Sequence, residues 1–198
     1  MATIVLERVH DTVVSLPEVV AAHRDTGRRL LDVGAHPLVH AVDATSHRSV
    51  TIYHGPDVET VRRFADNVFP ATQTELWPAS TNREDGPAAF RRSVDRAGPG
   101  ALALVDKRFP VEVEIGVPAN NFDPNDWCLN MHGVRYLHSH LDPSRRRMVC
   151  LYVAVDVETV IAAYRLIPVE VAHIFRVALD PAVSGVVQVA APAAEPGS

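Results

Sequence analysis

The sequence predicts an α+β fold in which two tandem ferredoxin-like (βαββαβ) units pack as a pseudo-twofold pair resembling a dimeric α/β barrel. Three observations lead there. The pentapeptide Asp57-Val58-Glu59-Thr60-Val61 recurs unchanged as Asp156-Val157-Glu158-Thr159-Val160. The same offset sets Tyr53 against Tyr152, Val50-Thr51-Ile52 against Val149-Cys150-Leu151, and Leu6-Glu7-Arg8 against Val105-Asp106-Lys107. Ungapped agreement over separate segments is the mark of an internal duplication. Finally, hydrophobic periodicity gives both halves the order β-α-β-β-α-β, the split βαβ arrangement.

In the first half, Thr3 to Val9 alternates as a strand, and Leu16 to Leu31 carries apolar residues at helical spacing. Ser15 suits the N-cap of that helix and Pro17 its first position. His36 to Val42 and Ser49 to His54 form a hairpin around Asp43 to His47; Asp57 caps a helix to about Asn67, and Gln73 to Trp77 closes the unit. From Pro78 to Gly100 the chain turns polar and rich in Gly and Pro, a linker with a short helix around Ala88 to Val94.

The second half repeats the pattern: a strand at Leu102 to Arg108, a hairpin at Tyr136 to Val153, a helix at Asp156 to Leu166 and a strand at His173 to Leu179. Pro110, Pro118, Asn120, Asn121 and Pro124 make its first helix short or irregular. The tail after Asp180 reads as extended and frayed. The boundaries are 1–79 for the first unit, 80–100 for the linker, 101–182 for the second unit and 183–198 for the tail.

Composition narrows the function classes. A net charge of -5 with no basic domain argues against nucleic-acid binding. Arg145-Arg146-Arg147, the only compact basic run, reads as a solvated hairpin tip. No apolar run approaches the roughly 18 to 20 residues of a membrane-spanning helix, and no signal segment opens the chain, so a cytoplasmic location is expected. Cys128 and Cys150 form no CxxC pair and should be free thiols there.

A βαββαβ sheet has helices on one face and leaves the other bare, so two units bury their bare faces against each other. Strand alternation then predicts an interior lined by Asp106, Tyr136, His138, His140, Cys150 and Tyr152. The matching first-half positions are Glu7, Pro37, Val39, Ala41, Thr51 and Tyr53, which keep a carboxylate and a Tyr but lose the imidazoles and the thiol. One unit is equipped for chemistry and the other serves as lid or scaffold.

An H-x-H pair on a strand presents two imidazoles to one ion. With Asp106, and with Cys150 as a further candidate, His138 and His140 would suit a divalent transition metal such as Zn, Fe, Ni or Cu, among which the spacing does not choose. The bland reading is that both histidines are simply hydrogen-bonded in a polar interior. Cys150 is a ligand, a nucleophile or a small packed hydrophobe. Tyr152 and Tyr53 are hydrogen-bonders or acids and bases. His173 is ambiguous by one residue, whereas His36 and His40 fall on the helix-facing side or at a strand end. His10, His23, His47, His54 and His132 are expected at the surface. Asn120, Asn121, Asp123, Asn125 and Asp126 lack EF-hand spacing and suit turns and caps.

The run GVRYLHSHLDPSRRRMVCLYVAVDVETV, followed by IPVEVAHIFRV, resembles a small bacterial ferredoxin-like family of formerly unknown function that includes nickel-binding proteins of actinomycetes. Tyr136, His138, Ser139, Cys150, Tyr152, Asp156 and Pro168 match its pattern, and Glu7 and Asp106 match an acidic position on the opening strand. His140 stands where an aromatic is usual, and Val155 replaces a common Pro that Pro56 keeps. The resemblance implies nickel binding, and since members are mostly single units that dimerise, a fused dimer.

Three readings follow. The first is a transition-metal protein holding nickel or a similar ion through His138, His140, Asp106 and Cys150. The second is an enzyme acting on a small organic molecule, of cyclase, isomerase or metal-dependent oxidative type, with His138 or His140 as base and Tyr152 or Asp106 assisting. The third is a metal-free binding or assembly module. The expected partners are a metal ion or a small molecule, and the chain is a monomer with an internal pseudo-dimer or a homodimer.

Overall fold

A computed structural model describes residues 1–65, 70–81, 86–115 and 126–184. In order they form β1 (Ala2–Val9), α1 (Leu16–Asp32), β2 (His36–Asp43), β3 (Arg48–Gly55), α2 (Val58–Ala65), β4 (Gln73–Thr81) and α3 (Pro87–Ala97). Then come β5 (Ala101–Arg108), α4 (Asp126–Met131), β6 (Arg135–Leu141), β7 (Arg147–Ala154), α5 (Val157–Tyr164), β8 (Glu170–Leu179) and α6 (Pro181–Ser184). Asn67, Pro118, Asn120, Asn121, Asp123, Pro124, Asn125 and the tail beyond Ser184 lie outside the described residues.

The strands close into one antiparallel barrel in the order β1-β3-β2-β8-β5-β7-β6-β4. Each half supplies four neighbours, β4-β1-β3-β2 and β8-β5-β7-β6, and the two sheets join edge to edge at β2–β8 and β4–β6. Closure removes the open edges that two separate sheets would expose. The two halves also share register. β1 and β3 pair from Ala2↔Gly55 to Val9↔Arg48, and β5 and β7 pair from Ala101↔Ala154 to Arg108↔Arg147. Bulges fall at matching places, between Pro37 and Val39 and between Tyr136 and His138.

Local chemistry sets the helix starts. A capping box begins α1: the Ser15 amide donates to Glu18 Oε2 at 2.7 Å, and the Glu18 amide donates to Ser15 Oγ at 3.4 Å. The helix begins at Leu16, so Pro17 stands one position later than expected. The two copies of the DVETV segment cap their helices alike: Asp57 accepts from the Thr60 amide and Asp156 from the Thr159 amide, each at 2.7 Å.

Apolar side chains sort into a lumen cluster and outer clusters. The lumen cluster draws on every strand, with Val5, Val39, Ile52, Trp77, Leu104, Leu137, Leu151 and Phe175 among its members. A second cluster packs Ala103, Val105, Cys150 and Tyr152 against α4 and α5, and a third packs Ile4, Leu6 and Tyr53 against α1 and α2.

The linker does more than connect. Its helix, α3, is longer than the Ala88 to Val94 expected and turns Phe90 into the lumen cluster. Pro181–Ser184, expected to be extended, is helical; its Val183 joins the same cluster and accepts from Arg91 Nη1 at 2.8 Å. Together α3 and α6 cover one mouth of the barrel. β4 also runs past the expected Trp77 to Thr81. Among the described residues no helix is long and apolar enough to cross a membrane.

Candidate functional site

Cross-strand partners share a face of the sheet, so register decides which side chains enter the lumen. His138 pairs with Leu151 and His140 with Val149, whereas Ser139 pairs with Cys150 and Tyr136 with Tyr152. His138 and His140 therefore enter the lumen with Leu151 and Val149. Cys150 and Tyr152, expected beside them, lie on the helix side, because the turn between β6 and β7 fixes a register in which Ser139 opposes Cys150. The Leu137 bulge also turns Tyr136 away from the histidines, contrary to simple alternation. In the first half Glu7, Val39 and Ala41 face inward as expected, but Thr51 and Tyr53 follow Cys150 and Tyr152 outward, and Pro37, the partner of Tyr53, lies with them.

The His138 ring lies 5.1 Å from Phe90 and 6.2 Å from the His140 ring, with the two imidazole planes 3° apart. His140 is 2% exposed, and among the described residues neither of its ring nitrogens has a hydrogen-bond partner. Burial, and secondarily the neighbouring His138, pushes its pKa down to about 3, so the ring is neutral at ordinary pH. A neutral imidazole carries one donor and one acceptor, and among the described residues both are unmet. Among the described residues Trp77 Nε1, buried in the same lumen, likewise has no acceptor. Buried polar atoms without partners cost free energy, so His140→Leu is expected to raise stability by about 1–3 kcal/mol, seen as a higher thermal midpoint. An unchanged or lower midpoint would show that the ring is satisfied in solution.

Above this pair, one end of the barrel is closed by ions. Arg147 Nε and Nη2 each donate to Asp106 at 3.0 Å, and Nη2 also donates to Glu7. Nη1 reaches Glu75 at 3.4 Å, Arg48 holds the other oxygen of Glu7 at 3.0 Å, and the Arg147 guanidinium carbon lies 5.7 Å from the Trp77 ring centre. Burial would lower the pKa of Arg147, but hydrogen bonds and charges from Asp106 and Glu7 raise it above its ordinary value. The basic run is thus not uniformly a solvated tip: Arg145 and Arg146 lie in the turn, while Arg147 begins β7 and is buried. Asp106, expected as a ligand or assisting base, is the counterion of Arg147.

The helix-facing polar groups satisfy one another. Cys150 Sγ lies 3.1 Å from Ser139 Oγ, which accepts from Tyr136 at 2.9 Å. The Tyr152 hydroxyl accepts from Lys107 at 3.1 Å and from Tyr164 at 2.5 Å. Burial, then Cys150 and Tyr164, raises the pKa of Tyr152 well above the usual phenol range, and burial pushes Tyr164 up to about 12. In the first half His40 donates to Asp180 at 3.0 Å, His23 donates to the Val19 carbonyl at 2.8 Å, and both rings approach Thr51. Burial and the adjacent His40 press His23 down to about 3.

Three histidines expected at the surface are therefore misplaced by that reading. His23 is on the buried face of α1, His54 is buried at the end of β3, and His10 is buried between Ser49 Oγ at 2.8 Å and the Pro70 carbonyl at 2.9 Å. His132 is exposed, His36 stands half-buried at a strand end and His40 faces the helices, as expected. His173 is half-buried beside the ionic end, 3.8 Å from Asp43.

A transition-metal site does not fit the ligand set expected for it. Cys150 is on the opposite face of the sheet from His138 and His140, and both oxygens of Asp106 are held by Arg147. Among the described residues no three or more His, Cys, Asp or Glu side chains are grouped so as to hold a metal ion. Sequence reasoning missed Arg147, Trp77 and Phe90. A signal existed for Arg147, since Arg48 stands at the matching place opposite the acidic pair Glu7 and Asp106.

No protein-family model matches the chain, and no curated protein matches it significantly. Among solved structures, a mutant chlorite dismutase from Candidatus Nitrospira defluvii is similar at a TM-score of 0.50 and 5% identity, over 92% of this chain and 94% of that one. A candidate chlorite dismutase is similar at 0.44 and 12% identity, covering 92% of this chain and 97% of its own. A candidate monooxygenase from Lactobacillus acidophilus NCFM is similar at 0.44 and 8% identity, over 91% and 95%. The first of these likenesses shows architecture alone: the chain has the ferredoxin-like, eight-stranded α+β barrel fold of a chlorite dismutase.

Proposed function

We propose that this protein is an enzyme that binds a small, largely apolar organic molecule in the barrel lumen, where His140 accepts a proton from it. The observation that carries this reading is His140 itself, a fully buried neutral imidazole whose donor and acceptor both lack partners among the described residues. The surrounding lumen is lined mainly by Val, Leu, Ile and Phe side chains, which favour an apolar ligand body. His138, between Phe90 and His140, fixes the neighbourhood of the base. In this reading the two halves are duplicated ferredoxin-like units, and the first, with Val39 and Ala41 at the places of His138 and His140, supplies wall rather than chemistry.

A ring with a pKa near 3 is a poor base toward water but not toward a bound acid. Proton transfer would leave an imidazolium beside the ligand's new anion, and that pair attracts strongly in a dry interior. The shared architecture with a chlorite dismutase adds support, because there the same barrel belongs to an enzyme.

The test is direct. Phenol, an apolar ring with one acidic hydroxyl, is expected to bind the native protein and to lose about tenfold in affinity to His140→Leu, the worth of one hydrogen bond. Elemental analysis accompanies it. A native protein that ignores phenol but carries an equimolar transition metal, lost in His140→Leu, would contradict the proposal and restore the metal reading.

A further inference from the structure

We infer that Trp77 is the specificity-determining hydrogen-bond donor of the lumen, so that the preferred ligand is an uncharged, planar hydroxy-carbonyl compound with its hydroxyl on His140 and its carbonyl oxygen on Trp77 Nε1. This rests on the lumen being the binding site.

Trp77 pairs with Val5, a member of the lumen cluster, so its indole points inward, and it is 5% exposed. Its Nε1 atom is buried with no acceptor among the described residues. Packing alone does not call for that nitrogen. The matching position of the second half, the partner of Leu104 as Trp77 is of Val5, holds Phe175, which fills its place with no polar atom. The Arg147 guanidinium, 5.7 Å from the ring centre, holds the indole by a cation–π contact.

Thr81 of β4 is the cross-strand partner of His140, and Trp77 precedes it on the same face. Four residues of strand separate their backbones by about 13 Å, the span that a substituted ring held between the two side chains would bridge. An indole N–H can only donate, while one imidazole nitrogen accepts. A ligand spanning them accepts at the Trp77 end and, with His140 acting as the proton acceptor, donates at the His140 end. It must also be uncharged, because the two guanidinium groups of Arg147 and Arg48 already offset the carboxylates of Glu7 and Asp106 and a further buried charge would have no counterion.

Three probes separate the contributions: phenol offers only the hydroxyl, acetophenone only the carbonyl, and 4-hydroxyacetophenone both. Their affinities for the native protein, Trp77→Phe and His140→Leu would be measured by NMR titration. The native protein should bind 4-hydroxyacetophenone about tenfold more tightly than either single-function probe. Trp77→Phe, which copies the residue at Phe175, should lose about that factor for acetophenone and 4-hydroxyacetophenone and nothing for phenol. A second readout needs no Trp77 variant. In Trp127→Phe protein the remaining indole N–H resonance should move on adding acetophenone and stay in place with phenol.

Equal weakening of all three probes by Trp77→Phe, or an unmoved resonance, would overturn the inference and leave ordered water as the partner of Nε1. Failure of every probe to bind the native protein would instead overturn the lumen reading beneath it.

Discussion

Replacing Arg147 with Met is expected to destabilise the protein by about 3–5 kcal/mol, the usual cost of removing one partner from a buried ionic group. The guanidinium is shared by Glu7 and Asp106, which come from corresponding positions of β1 and β5 and meet inside the barrel. Without it two carboxylates are left with too little compensating charge in a desolvated space, with Arg48 on Glu7 and the more exposed Arg108 at 3.5 Å from Asp106. Denaturant unfolding at pH 7 measures the loss. Adding Glu7→Gln and Asp106→Asn to Arg147→Met should recover a large part of it, since the cost lies in unpaired charge rather than missing volume. Arg146→Met, in the exposed turn next door, should leave stability within about 0.5 kcal/mol of the native value. Equal effects of the two arginine substitutions would refute the buried role.

Acid should weaken the fold well above the range where carboxylates titrate. His23 and His140 are each held neutral, with pKa values pushed from 6.5 to about 3. Below 6.5 the unfolded chain takes up protons that the native rings refuse until the pH nears 3. The unfolded state binds more protons throughout that window, so the free energy of unfolding falls as pH falls. Each ring contributes a slope of about 1.4 kcal/mol per pH unit once the pH is below its unfolded value. Denaturation midpoints at pH 7, 6 and 5 would show the decline, and His140→Leu should flatten it by roughly half. The first-half ring shares its surroundings with His40, Asp180, Thr51, Arg8 and Tyr53, so His23→Gln is the less clean control. A stability profile level from pH 7 to 5 would show that neither ring is held neutral.

How far the sequence could be read depended on which forces are local. Capping is local, and the DVETV copies announced both α2 and α5 through the Asp-to-Thr amide bond that each forms. The shared pattern of the two halves was also legible, and β1 pairs with β3 in the same register as β5 with β7. Facing was not. Alternation gives two faces for each strand, but which face of β7 shares the lumen with which face of β6 depends on the turn register. That register places Val149 rather than Cys150 opposite His140. A one-residue choice of this kind moves every side chain of the strand to the other face. It separated Cys150 and Tyr152 from His138 and His140 and removed the ligand set drawn from them.

Long-range pairing was the other blind spot. Arg147 looked like part of a solvated run because its partners, Glu7, Glu75 and Asp106, are brought to it only when the barrel closes. Phe90 sat in what reads as a linker, and only the position of α3 over the barrel mouth reveals it as a neighbour of His138. By contrast, the H-x-H pair was found from spacing alone, since two residues on one strand face need no tertiary information to stay together.

His140 is a neutral imidazole with no hydrogen-bond partner among the described residues. Ring nitrogen-15 NMR of selectively labelled protein observes it directly. The signals of His140, identified by their loss in His140→Leu, should stay those of a neutral ring from pH 8 to pH 5 and shift when phenol is added, as the acceptor nitrogen gains a donor. A His140 ring that titrates near 6.5 and ignores phenol would contradict the account.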